Sequence, residues 1–184
     1  MSPQELKQQK LKAIYRGLLT LLQNRSLSDI TISELCREAE VSRTYYYRNF
    51  SSFQEIIAKY QEQSIISYLR LVPHATSIEF SKLMTVYFQL MGAHATETLL
   101  LINAGLTDVL ISTFRRVYLF LIHHGYIDSS NTQRGKNKFF ASFIAGAVIS
   151  TEVEWLKSGM KESPAQMGVI LKKMFDFSDA TIKN

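Results

Sequence analysis

The chain has 184 residues, 46% of them hydrophobic, one cysteine and a formal net charge of +5. That length and apolar content suffice for a real core and exclude a disordered chain. One cysteine rules out a disulfide framework, and the lack of an N-terminal apolar run or an 18-residue apolar stretch leads us to expect a cytoplasmic protein with no signal peptide and no membrane span. Residues 1–60 carry nine Lys or Arg against six Asp or Glu. Such a basic excess suits nucleic acid, yet many ordinary soluble domains are as basic.

Residues 4–23 place Leu11, Ile14, Tyr15, Leu18, Leu19 and Leu22 on one helical stripe. Ser2, Pro3 and Glu5 supply its cap, its first-turn proline and its capping-box partner. Lys7, Lys10, Lys12 and Arg16 lie opposite the stripe, a solvated face by default, although in a three-helix head they can approach phosphates.

Residues 31–56, TISELCREAEVSRTYYYRNFSSFQEI, are the most informative stretch. Thr31 and Glu34 form a T-x-x-E capping box, and Leu35, Cys36 and Ala39 then face inward. Glu40 and Val41 fill a turn, with Val41 as the apolar peg between two helices. Ser42 caps the second helix, where Tyr46 and Phe50, four apart, anchor to the core. Arg43, Thr44, Tyr45, Tyr47, Arg48 and Asn49 are left outward. Donors and aromatics without a carboxylate suit DNA, so these residues read as a helix-turn-helix.

Ser51 and Ser52, with Gln54 and Glu55 three residues on, cap a connecting helix from about 52 to 70. Further helices are expected at Ile78 to Met91, about Glu97 to Asn103, Thr107 to His123, Gln133 to Lys157 and Pro164 to Phe175, the last opened by Ser163, Pro164 and Gln166. Breaks fall at 72–77, at 124–131 with Gly125, and at 158–163 with Gly159. With no alternating strand-length run, the fold is expected to be all-α with about nine helices: a three-helix head over residues 1–51 and a helical body over 52–184.

V-S-R-T-Y-Y-Y-R-N-F-S-S-F-Q-E-I resembles the recognition segment of the TetR/AcrR family of transcriptional regulators, a likeness that covers roughly residues 8–60. FFASFIAGAVISTEVEWLKSGMKESPAQM, at 139–167, resembles the C-terminal domain of the subgroup related to dihydroxyacetone-kinase regulators. The resemblance implies DNA binding through Thr31, Ser42, Arg43, Thr44, Tyr45, Tyr47, Arg48 and Asn49, with Tyr47 donating its hydroxyl to the DNA backbone. Three residues depart from the family pattern. Glu40 replaces the usual turn glycine, which implies strain if the backbone there is left-handed. Tyr45 stands where a small threonine is common, which implies a bulkier contact in the groove. Phe53 replaces a lysine that often touches phosphate, so that contact does not carry over.

The four histidines, His74, His94, His123 and His124, have no H-E-x-x-H pattern and no cysteine partners at metal spacing. His123 and His124 read instead as a pair at a helix end. Neither a glycine-rich phosphate loop nor a G-x-S-x-G elbow is present. We therefore expect no catalysis, no metal and no cofactor. In the body, Met84, Tyr87, Phe88, Met91, His94, Asn103, Phe114, Tyr118 and Phe143 are candidates to line a small-molecule pocket, each of the large side chains having an ordinary core role as its alternative. Asp108, Arg115, Thr151 and Glu152 are further polar groups near apolar faces and need partners if buried.

Between 139 and 156 a helix apolar on nearly all sides is expected to be buried on all sides. One way to achieve that is a second copy of the chain, with Phe139, Ala145, Val148, Glu152, Trp155, Met167 and Leu171 at the contact. The family resemblance implies the same, since its last two long helices pair with their symmetry mates in a four-helix bundle. The expected function is a homodimeric transcriptional regulator, a repressor reading double-stranded DNA at an inverted-repeat operator under control of an unidentified small-molecule effector. The alternative is a helical co-activator or protein-interaction module that has kept the fold, since the C-terminal subgroup includes co-activators that work with a partner and no small molecule.

Overall fold

The computed structural model describes residues 2–69, 79–127 and 137–175. Among them every regular element is helical: α1 (Pro3–Leu22), α2 (Ile32–Glu38), α3 (Arg43–Asn49), α4 (Phe53–Leu69), α5 (Phe80–Ala93), α6 (Ala95–Asn103), α7 (Thr107–His123), α8 (Phe140–Lys157) and α9 (Pro164–Phe175), with one 3₁₀ turn at Leu27–Asp29. No helix among the described residues is long and apolar enough to cross a membrane.

The Ser2 and Glu5 capping box opens α1, and its expected apolar stripe is buried. Gly17 allows α2 to cross α1 closely, because a Cβ there would stand 3.1 Å from Ala39 Cβ. Thr31 and Glu34 cap α2 reciprocally. That helix ends as a Schellman motif: Glu40 N–H donates to Arg37 O, Val41 N–H donates to Cys36 O, and Glu40 sits at φ 53. Glu40 is thus left-handed, the condition on which strain at this position depends, and Val41 packs half-buried against the core. Ser42 accepts from the Tyr45 N–H to start α3. Ser52 accepts from the Glu55 N–H to start α4, while Glu55 reaches back to Ser51 N–H at 2.7 Å.

Ile56 and Ile57 of α4 are fully buried. From that anchor α4 runs along α1 and on to α5 and α7, so it touches the head and the body at once. The tightest helix pair is α5 with α9. Gly168 makes it possible, since any Cβ there would collide with Ser81 O and Thr85. Helix α8 packs on α7 and α6, and its Trp155 meets Phe88 of α5 edge-on at 5.1 Å while its indole N–H donates to Glu162 O.

One expectation needs correction. The helix expected from Gln133 starts at Phe140, with residues 138 and 139 in a turn and 133–136 outside the described residues. Asn137 is the cause: its side chain accepts from Phe139 N–H and its carbonyl from Phe140 N–H, an Asx-type turn that competes with helix. The chain's own helices cover one face of α8, so burial on its other side would take a second copy. Gly125 and Gly159 do break the chain as expected, at φ 74 and φ 86. The expected break at 72–77 lies outside the described residues, as does the Ile78 start of the fifth helix.

Candidate nucleic-acid interface and ligand cavity

Helix α3 is held from beneath by Tyr46 and Phe50, both buried, with Phe53 edge-on to Tyr46 at 6.2 Å. Phe53 is thus part of the support and offers nothing to a phosphate. Thr44 and Arg48 stand opposite Tyr46, with Arg43 and Tyr47 on the flank between, and all four are exposed. Tyr47 is 59% exposed. Among the described residues neither arginine is engaged in an ion pair, which leaves two guanidinium forks and a phenol for a ligand outside the chain.

Tyr45 and Asn49 sit differently from the outward placement expected for them. Both are half-buried. Tyr45 lies edge-on to Phe50 under the Lys10 ammonium, 5.0 Å from its ring centroid, and Asn49 donates to Tyr45 O at 2.8 Å. A residue one position from Tyr46 on a helix is rotated about 100° from it, so Tyr45 falls on the flank toward α1. Thr31 and Ser42 are exposed, but their hydroxyls are already used as helix caps. Thr31 holds the Glu34 carboxyl at about 2, with Arg25 adding an ion pair at 2.8 Å.

The head grips the body through aromatic and charged contacts. Tyr15 of α1 stacks on Tyr60 of α4 at 3.8 Å, and burial first, then the Glu97 carboxylate of α6, pushes the Tyr15 hydroxyl up. Glu62 of α4 faces Arg116 of α7 at 3.7 Å. Sequence periodicity marked Tyr15 as core, but nothing local identified Tyr60 or Glu97 as its partners.

Inside the body lies a cavity of about 30 Å³ walled by Ile65, Leu83, Met84, Val86, Tyr87, Leu90, Phe114, Val117, Tyr118 and Leu121. That is room for one or two waters. Of the residues expected to line a pocket, Met84, Tyr87, Phe114 and Tyr118 do so. Met91 and His94 line a neighbouring crevice with Tyr15 and Tyr60, and Phe88 is fully buried in packing. Asn103 and Phe143 are exposed and do not line the cavity, since α6 and α8 turn those positions to solvent. Apolar periodicity could have flagged the added lining residues as core, but could not separate wall from filling.

Behind the cavity wall, Tyr87 donates its hydroxyl to Glu152 Oε2. Glu152 is 1% exposed, its Oε1 has no hydrogen-bond partner, and burial pushes its carboxyl up to about 7.

Of the residues expected at a subunit contact, only Phe139 is exposed, at 67%. Ala145, Val148, Glu152, Trp155, Met167 and Leu171 are buried in the chain's own core, because α5, α6 and α7 cover that side of α8 and α9. The uncovered side carries Phe143, 61% exposed, with Val169 and Met174 of α9. Gly146 and Ala147 lie half-buried beside Phe143.

Residues 80–177 match a family described as the C-terminal region of a transcriptional regulator. Among solved structures the chain is similar to Lin0861 from Listeria innocua, with 16% identity, a TM-score of 0.77 and coverage of 96% of this chain and 94% of that one. It is also similar to the fatty acid degradation regulator FadR from Bacillus halodurans, with 11% identity, a TM-score of 0.52 and 95% of each chain covered. At these identities the likeness is one of fold alone. No curated protein sequence matches the chain.

Proposed function

Because this chain belongs to the TetR family of transcriptional regulators, we propose that it is a homodimeric repressor that reads an inverted-repeat operator and is released by a small molecule bound in its body. Its head is residues 1–51 and its regulatory and dimerisation body is residues 52–184, with α4 as the lever between them. The observation that carries this reading is the exposed, unpaired face of Arg43, Thr44, Tyr47 and Arg48 on a helix whose other side is locked by Tyr46 and Phe50. Arg43 and Arg48 are suited to guanine edges or phosphate, Thr44 to a thymine methyl, and Tyr47 to the backbone. Work on DNA puts the protein in the cytoplasm, and catalysis forms no part of this role.

Dimerisation follows from the uncovered face of α8 and α9. Phe139, Phe143, Val169 and Met174 are large apolar side chains left exposed there, and a second copy that covers them with the same helices would close a two-fold contact. Two recognition helices would then enter successive major grooves about 34 to 36 Å apart. An effector acts only if it binds better to a conformation with the heads misplaced.

The second reading, a co-activator of the dihydroxyacetone-kinase-regulator kind working through a protein partner, is favoured by the small size of the body cavity. Selection of bound duplexes from a random DNA library, followed by sequencing, separates the two. An enriched inverted repeat supports the operator reader, whereas a folded dimer that enriches nothing at low salt supports the co-activator. On the selected operator, Arg43→Ala should cost about 1 to 3 kcal/mol at particular base pairs, while Tyr47→Phe should weaken all sequences alike.

A further inference from the structure

Glu152 lies in the middle of the inward stripe of α8, between Val148 and Trp155. A carboxylate at such a position is an expensive guest. It accepts one hydrogen bond, from Tyr87, and its second oxygen has no partner. Its burial is offset by that single bond alone, where buried polar atoms are ordinarily all partnered. Among the described residues no lysine, arginine or histidine is buried, so none of them answers it.

Tyr87 joins this carboxylate to the cavity. Its ring lines the cavity, edge-on to Phe114 at 5.1 Å, while its hydroxyl is bonded to Glu152. A change of the Tyr87 rotamer would make the apolar cavity and the carboxylate one continuous site, and the adjacent Met84 is the kind of unbranched side chain that yields to a guest. Resting on the effector reading above, we propose that Glu152 and the Tyr87 hydroxyl form the polar end of the effector site, which takes an amine with an apolar alkyl or aryl body. The ammonium meets two acceptors there, and the apolar body fills the enlarged cavity. At pH 8, where Glu152 is ionised, a carboxylate of the same shape is refused, because it would place a second negative charge beside the first with no buried cation among the described residues to neutralise either.

The same geometry connects the site to the head. Ile65 of α4 and Leu90 of α5 wall both the cavity and the crevice that holds Tyr15 and Tyr60. A guest that displaces Ile65 therefore shifts the stacked pair that ties α1 to α4.

The test uses matched alkylamines, alkanols and alkanoates from butyl to decyl, titrated into the whole protein without DNA. Amines should bind at least about tenfold tighter than the alcohols of equal length, and at pH 8 the alkanoates not at all. Glu152→Gln should bring amine and alcohol to equal affinity. Calorimetry at pH 6 in buffers of different ionisation enthalpy should show up to one proton released per amine bound, since the protonated carboxyl must ionise to meet the ammonium, and none per alcohol. If Glu152→Gln does not fold, proton release by the wild-type protein decides. Equal or tighter binding of alkanoates, amine preference that survives Glu152→Gln, or no amine binding across the series would each overturn the proposal. Amine preference in a protein that selects no operator would keep the site and discard the regulator, and an operator without amine preference would do the reverse.

Discussion

The first four helices and the next four begin in opposite ways. Ser2, Thr31, Ser42 and Ser52 each place a hydroxyl on the third helical N–H, and in three of the four starts a glutamate reaches back. Helices α5 to α8 start at Glu79, His94, Leu106 and Phe139 with no side-chain cap at all. Helix ends fastened by local bonds hold their positions whatever the rest of the chain does, which suits a surface that must fit DNA grooves. Helices without caps are held by their apolar faces, and apolar packing can be exchanged for other apolar packing. The contrast is one between α1 to α4, whose starts are fixed by local bonds, and α5 to α8, whose packing can change.

The largest effect that would sharpen this contrast should come from Gly168→Leu. The new side chain collides with backbone at Ser81, and we expect a loss of about 3 kcal/mol or more, read as a lowered midpoint in denaturant. A near-neutral result would mean that α5 and α9 do not meet as described. Next is Glu152→Gln. The folded carboxyl is raised from 4.5 to about 7, so the folded state binds the proton more tightly than the unfolded state. Stability from this group is full below pH 4.5 and lost as pH rises to about 7. The variant should therefore match the wild type at pH 4.5 and exceed it at pH 8 by up to about 3 kcal/mol.

Effects in the head should be smaller and of cap size. Thr31→Ala removes one half of a capping box and should cost about 1 kcal/mol near pH 7. Its carboxylate partner Glu34 is held at about 2, so the part of the loss that comes from that carboxylate, present above pH 4.5, fades as pH falls toward 2, while the part from the cap bond to the Glu34 N–H stays; the gap should narrow in acid melts without closing. A gap that did not narrow toward pH 2 would detach the effect from the Glu34 carboxylate. Smallest is Glu40→Gly, which relieves a left-handed glutamate and should gain about 0.5 to 1 kcal/mol in chemical denaturation.

Caps and periodicity made most of the helices legible in advance, since Ser2, Thr31, Ser42, Ser52 and Ser163 act on amides within three residues of themselves. Asn137 shows the limit of such reading, because an Asx turn ended a pattern that apolar spacing alone would have continued. The recognition helix was legible in its anchors, Tyr46 and Phe50, but not in its flank, where Lys10 from a distant helix draws Tyr45 aside. The body was least legible. A helix as apolar as α8 offers several faces to a core, and its sequence does not say which one its own chain will cover.

By itself, then, the sequence determined the helical class, the starts of the capped helices and the helix-turn-helix, because those depend on bonds and spacings within one or two turns. Which face of α8 is left bare, which apolar residues wall a cavity and which merely fill space, and that Tyr87 is the partner of Glu152 were decided by tertiary structure alone. These depend on side chains brought together across long separations, 65 positions in the case of Tyr87 and Glu152, and no local rule fixes which ones will meet.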